Sequence, residues 1–353
     1  MRRVAIVLPA TVAILVIALG TSPRAADNLV LSRFSDYLES LRIQAGIPGL
    51  AASLVGTTDT VWERGFGYQD AERNIATRTD TPFAVDGLMQ TIVATLALRC
   101  DESRWLSIDD PAAKYAPDSG DPTTTLRMLM THTSPVANGL VFSYRMDRLA
   151  RMAPAISSCT DASFRSGIAA LFTRLAMIES VPGSDVVDLK AGDEGFDQAT
   201  LDRYAALLAR QAVQYAVDGK GRATPSPSPS TLTPAGGLLT SARDLAKFDL
   251  ALKNGAVVQP ATFVSAWTPP TGGNGQPLPH AIGWFAQTYN GEPVVWQYGE
   301  SATSSSMMIT APRRGLTLIL LANSPGLTRS LSLSAGDISV SPFARVFLGI
   351  FLR

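Results

Sequence analysis

The chain has 353 residues, 46% of them hydrophobic and 17% charged, with 30 basic side chains against 30 acidic ones. That composition can fill a sizeable core, excludes a disordered chain, and leaves no basic surplus of the kind nucleic-acid binding needs. Without residues 1–26, which hold Arg2, Arg3 and Arg24 and no acid, 27 basic groups face 30 acidic ones, a net charge of −3.

The chain opens with "MRRVAIVLPATVAILVIALGTSPRAADN", two arginines followed by an apolar run from Val4 to Gly20 and then small residues. This pattern predicts a signal peptide over 1–26, cleaved between Ser22 and Ala26, and a protein that is periplasmic or secreted. The alternative is an uncleaved N-terminal membrane anchor, because the apolar run sits near the lower limit of the roughly 17–25 residues that span a bilayer.

Leu29, Leu31, Phe34, Leu38 and Leu41 recur at helical spacing, so a helix is expected over 29–45 with Gly46 as its stop. Residues 49–56 and 61–68 read as a β-hairpin turning at Gly56–Asp59. "FAVDGLMQTIVATLALRC", residues 83–100, is a strand end, a short turn and an apolar helix. From about 90 to 255 the pattern is mostly helical, broken by Pro and Gly loops. "GRATPSPSPSTLTPAGG" is an extended surface loop, and "SARDLAKFDLALKNG" after it is a helix. Four strands follow, in "HAIGWFAQTY", "PVVWQYG", "SSSMMITAP" and "LTLILLANS", and "SPFARVFLGIFLR" closes the chain as an apolar helix.

Strands from both ends of the chain should therefore share one sheet near 49–68 and 282–322, with helices 29–45 and 341–352 packed on it. The sheet part is about 27–85 and 256–353, the helical insertion about 86–255, and together they form one domain over 27–353. Cys100 and Cys159 are the only cysteines; a disulfide and two half-buried thiols both remain open. With His132 and His280 as the only histidines, no metal site and no cofactor are expected. His132 lies beside Ser134 in "THTS", yet no acid accompanies the pair, so it reads as a structural turn. His280 reads as a surface or edge residue.

Six segments, "IPGLAASLV", "RGFGYQDAERNIATRTDTPFAV", "LSIDDPAAKYAP", "TLRMLMTHTS", "PAGGLLTSARDLAKFDLAL" and "LILLANS", occur in this order. Together they resemble the β-lactamase-related serine hydrolase family, which holds class C β-lactamases, D-alanyl-D-alanine peptidases and related esterases. The resemblance covers about residues 29–350. It implies an α/β, penicillin-binding-protein-like fold: an antiparallel sheet flanked by helices, an all-helical subdomain, and a cleft between them.

The resemblance also implies a site. A serine at a helix N-terminus attacks an acyl carbonyl, and a lysine one turn later helps take its proton. A tyrosine joins the relay, and a Lys or His two residues before a Gly on a strand completes the wall. Backbone N–H groups stabilise the oxyanion.

Carried onto this sequence, Gly87 stands at the serine and Gln90 at the lysine; residues 83–99 contain neither Ser nor Lys. Tyr144 falls at the tyrosine and Met146 at the asparagine of that motif. In "VVWQYGES", Gln297 replaces the histidine while Gly299 is kept, and Glu300 would supply the oxyanion donor through its N–H.

Glycine cannot be acylated and glutamine cannot take up a proton near neutral pH. The expected function is an exported, catalytically inactive homologue of these hydrolases, a pseudoenzyme. Its former active-site cleft would hold a small molecule, peptide, peptidoglycan fragment or ester through Tyr144, Gln90, Gln297, Gly299 and Glu300. Two alternatives stand beside it. One is a working hydrolase or esterase that uses water or another serine, such as Ser134 or one in "SATSSS"; the other is a degenerate chain with no ligand.

Overall fold

A computed structural model describes residues 23–117 and 122–352 of the chain. The signal-peptide reading of 1–26 lies outside the described residues except for its last four. No helix among the described residues is long and apolar enough to cross a membrane.

The centre is a seven-stranded antiparallel sheet built from β1 (Gly49–Val55), β2 (Thr60–Asp70), β3 (Ile75–Ala76), β4 (Phe285–Tyr289), β5 (Glu292–Glu300), β6 (Ser305–Ala311) and β7 (Leu316–Ala322). Its order is β4-β5-β6-β7-β1-β2-β3, so the two ends of the chain meet where β7 pairs with β1, Leu50 opposite Ala322 and Leu54 opposite Leu318. The helices that matter below are α1 (Pro23–Gln44), α2 (Met89–Glu102), α3 (Met152–Thr160), α4 (Phe164–Arg174), α5 (Ala242–Lys253) and α6 (Pro342–Phe351).

Successive side chains of a strand point to opposite faces, and here both faces are covered. Leu50, Ala52 and Leu54 of β1 join Phe34, Leu38, Phe343 and Phe347 of α1 and α6 in one core. Ala51 and Val55 join Val93, Ala97, Leu245 and Phe248 of α2 and α5 in the other. Each Leu or Phe so buried contributes roughly 1.5–3 kcal/mol. The start of α5 is fixed by Ser241, whose hydroxyl accepts from the Asp244 N–H at 3.1 Å.

Two details depart from the sequence pattern. Residues 280–284 are not strand: the chain turns through Gly283 at φ +76°, and the Ala281 N–H bonds the Trp284 carbonyl at 2.7 Å. Alternating apolar residues cannot reveal a turn that glycine permits. The insertion between β3 and β4 also carries short β-pairs, Thr133–Val136 with Gly139–Phe142 and Tyr215–Val217 with Ala223–Pro225. The cysteine alternatives resolve to a disulfide: Cys100 of α2 is bonded to Cys159 of α3.

Candidate functional site

The site forms where β5 crosses the entry to α2. After the two-residue strand Phe83–Ala84, a 3₁₀ turn over Asp86–Leu88 leads directly into the helix. Asp86 enters this turn at φ +45°, and its carboxylate accepts from the Ser304 hydroxyl at 2.7 Å. Burial, with the Glu300 charge adding to it, pushes the Asp86 carboxyl above its usual range.

The backbones meet closely here. A β-carbon on Gly87 would stand 2.7 Å from the Tyr298 carbonyl oxygen and 3.3 Å from the Gly299 Cα. A β-carbon on Gly299 would run into the Val85 carbonyl and lie 2.7 Å from the Gly87 nitrogen. The two glycines let strand and turn touch, which no larger residue at either position allows without movement.

Beneath this contact, seven groups form one chain of six hydrogen bonds. The Arg145 N–H donates to His132 Nδ1 at 3.0 Å, and His132 Nε2–H donates to the Gln90 amide oxygen at 2.6 Å. Gln90 donates to the Tyr144 hydroxyl at 2.8 Å, and that hydroxyl donates over 3.5 Å to the amide oxygen of Gln297. Gln297 donates to His280 Nε2 at 3.1 Å, and His280 Nδ1–H donates to the Ala281 carbonyl at 2.7 Å.

The two ends are backbone groups with fixed roles, a donor at Arg145 and an acceptor at Ala281. They set both histidine tautomers and both amide orientations, and the assignments agree where they meet at Tyr144. The second N–H of Gln90 points at the Met146 sulfur, 2.9 Å away, and that of Gln297 at the Gly283 carbonyl, 3.2 Å.

No member carries a charge near neutral pH. Burial holds His132 down at about 4 and His280 well below its ordinary value, and it raises the Tyr144 phenol well above 10. His132 occupies the tight turn expected of it, at φ +52°, but its ring also belongs to the site. Tyr144 lies just ahead of a short helix, Met146–Leu149, with its ring 4.5 Å from that of His132 and 5.7 Å from that of Tyr298.

Above the chain opens a cleft of about 490 Å³, lined among others by Asp86, Gly87, Tyr144, Tyr298, Glu300 and Ser334. Arg145 and Asp147 pair at its edge, leaving Asp86 and Glu300 as a negative wall.

Gly87, Gln90, Tyr144 and Gln297, spread over 211 positions, thus come together. Two expectations need correction. Gln90 and Gln297 do not face the cleft: they are 1% and 0% exposed and lie under the Gly87–Tyr298 contact with their polar atoms already partnered. His280 is not a surface residue either; it is fully buried, because the Gly283 turn folds it back onto Gln297. Tyr298 and Asp86 escaped the sequence analysis. Each is a neighbour of a position singled out there, and nothing in a single sequence says that the neighbour faces the cleft.

The Beta-lactamase family profile matches residues 33–336, and the chain belongs to that family. It is 27% identical to PbpX of Bacillus subtilis, whose name places it among the penicillin-binding proteins, over 67% of this chain. The chain spans 62% of the length of PbpX. Among solved structures it resembles the octameric penicillin-binding protein homologue from Pyrococcus abyssi, with a TM-score of 0.70, 18% identity, and 90% and 77% of the two chains covered. A class C β-lactamase from Rhodobacter sphaeroides gives a TM-score of 0.62 at 17% identity, covering 82% of this chain and 93% of that one. Both likenesses are of fold alone.

Proposed function

We propose that this protein is an exported, catalytically inactive member of the family that binds its ligand without covalent chemistry. The observation that carries the reading is at Gly87. The position has no nucleophile, and the Tyr298 carbonyl fills the space a serine β-carbon would need. Around it, the groups expected to move protons are an amide-linked neutral chain, and an amide neither accepts nor releases a proton near pH 7. Export is supported by the charged start and apolar run of residues 1–20.

The ligand would lie against Tyr144 and Tyr298, beside the Asp86 and Glu300 carboxylates, with Gln90 and Gln297 holding Tyr144 from below. A peptide, a peptidoglycan fragment or an ester fits these walls, and the two acids favour one that carries an amine.

The rival, a hydrolase with a substitute serine, finds little support. The Ser134 hydroxyl accepts from the Arg148 guanidinium at 2.9 Å, a group that cannot take a proton. Ser304 does donate to a carboxylate, Asp86, but it is 1% exposed and out of a substrate's reach.

Intact-mass analysis after incubation with a β-lactam, an activated ester and a fluorophosphonate tests the first half of the proposal. No adduct is expected, and a stoichiometric adduct mapped to a cleft serine overturns it. A Lys-D-Ala-D-Ala peptide and its ethyl ester test the second half. Thermal stabilisation without a mass change is expected, and no stabilisation by either removes the binding role.

A further inference from the structure

A second cavity, of about 380 Å³, opens beside the disulfide that ties α2 to α3. Its apolar wall is Leu96 of α2, Leu171 of α4 and the Cys100–Cys159 bridge. Two guanidinium groups line it, Arg99 of α2 and Arg174 of α4, and no Asp or Glu does. The nearest acids in sequence are engaged elsewhere: Asp101 accepts from the Ile108 N–H at 3.1 Å and Glu102 from the Gln259 N–H at 2.9 Å.

Arg99 is half-buried, yet among the described residues its guanidinium has neither an ion-pair partner nor a hydrogen-bond acceptor. Arg174 spends one N–H on the Ala256 carbonyl at 2.8 Å and keeps the rest. At the rim stands Trp105, 71% exposed, the most exposed large hydrophobic side chain among the described residues.

A guanidinium offers five N–H donors in a planar fork that matches carboxylate, sulfonate and phosphate oxygens. Two of them on a wall without acids concentrate positive potential, and the adjoining apolar surface lowers the local dielectric, which strengthens it. The volume falls within the range of roughly 300–1,000 Å³ typical of small-molecule sites.

We propose that this cavity binds an amphiphilic anion. Its acidic head is held by Arg99 and Arg174, its aromatic or aliphatic body lies against Leu96, Leu171 and the disulfide, and Trp105 closes over it. The site is separate from the cleft at Gly87 and does not depend on what that cleft binds.

Naphthalene-2-sulfonate is a suitable probe, and naphthalen-2-ylmethanol its uncharged counterpart. Calorimetric titration of the oxidised full chain should show saturable one-site binding of the sulfonate, and at least about tenfold weaker binding of the alcohol. Arg99→Gln should weaken the sulfonate about tenfold or more without lowering the melting temperature, and Arg174→Gln provides a second, independent variant at an exposed position. Absence of saturable binding by the wild type, equal affinities for the two probes, or unchanged affinity in both variants overturns the proposal.

Discussion

The Nε2–H of His132 and the amide oxygen of Gln90 meet at 2.6 Å, and this contact decides what can stand at position 90. An ammonium has donors only. In Gln90→Lys it would face an N–H that cannot be given up, because His132 Nδ1 already accepts from Arg145. The variant should lose about 3 kcal/mol as a buried charge without a partner. Gln90→Glu keeps an acceptor for the His132 Nε2–H in place and should lose much less. Urea denaturation of both variants checks this; a Gln90→Lys protein as stable as wild type contradicts the assigned hydrogen-bond direction.

Gly87→Ser is the obvious first step towards restoring a hydrolase, and the structure argues that it fails. The new side chain would press on the Tyr298 carbonyl, which belongs to a paired strand and not to a flexible side chain. A loss of about 1–3 kcal/mol is expected, the usual cost of overpacking. Gly87→Ala should cost nearly as much, since the β-carbon alone makes the contact. Mass spectrometry with an activated ester should find no adduct on Gly87→Ser. If the serine variant is fully stable and acylates rapidly, strand and turn separate more easily than this geometry implies.

Acid should weaken the fold before the carboxylates are neutralised. An unfolded histidine titrates near 6.5 and the folded His132 at about 4, with His280 displaced in the same direction. Well above pH 6.5 neither state is protonated and nothing is lost. As pH falls from 6.5 towards 4, the unfolded chain takes up protons that the folded chain refuses, so stability drops. At pH 4.5 the His132 share is on the order of 2 kcal/mol. The raised carboxyls of Asp86, Asp244 and Asp249 act oppositely, since the folded state protonates them first. Comparing wild type with His132→Asn at pH 7 and 4.5 therefore isolates the ring. Asparagine suits the φ of +52° at that position, and its variant should lose distinctly less stability on acidification.

The disulfide closes a 59-residue separation and joins the helix that carries Gln90 to its neighbour α3. Replacing both cysteines by alanine should cost about 2–4 kcal/mol, mainly by releasing the unfolded chain. Chemical denaturation of the oxidised protein and the double variant gives the number. Identical midpoints would mean that packing alone holds α2 against α3.

Much of this was legible in the sequence, and for definite reasons. β1 is apolar apart from Ser53 and is joined to β2 by a turn of small and polar residues, and α5 announces itself with Ser241 before it and Gly255 after it. The closeness of Gly87, Gln90, Tyr144 and Gln297 followed from motif order. Three things did not follow. His280 depends on a turn made by Gly283, three residues on, which an apolar pattern hides. The burial of both glutamines depends on how near β5 comes to the 3₁₀ turn, a distance between segments some 200 residues apart. The cavity at the disulfide needs α2 and α4 side by side, and in the sequence Arg99 is a single charge near the end of an apolar run.

The chain from Arg145 to Ala281 has a last consequence for transport. A proton relay works only if, after one proton has hopped along it, every link can turn round and reset. Here the first and last links are peptide groups that cannot rotate, and two of those between are amides that neither gain nor lose a proton near neutral pH. The arrangement is electrically an insulator with a frozen polarity. It can brace Tyr144 in one orientation indefinitely, but it cannot ferry charge from one side of the site to the other.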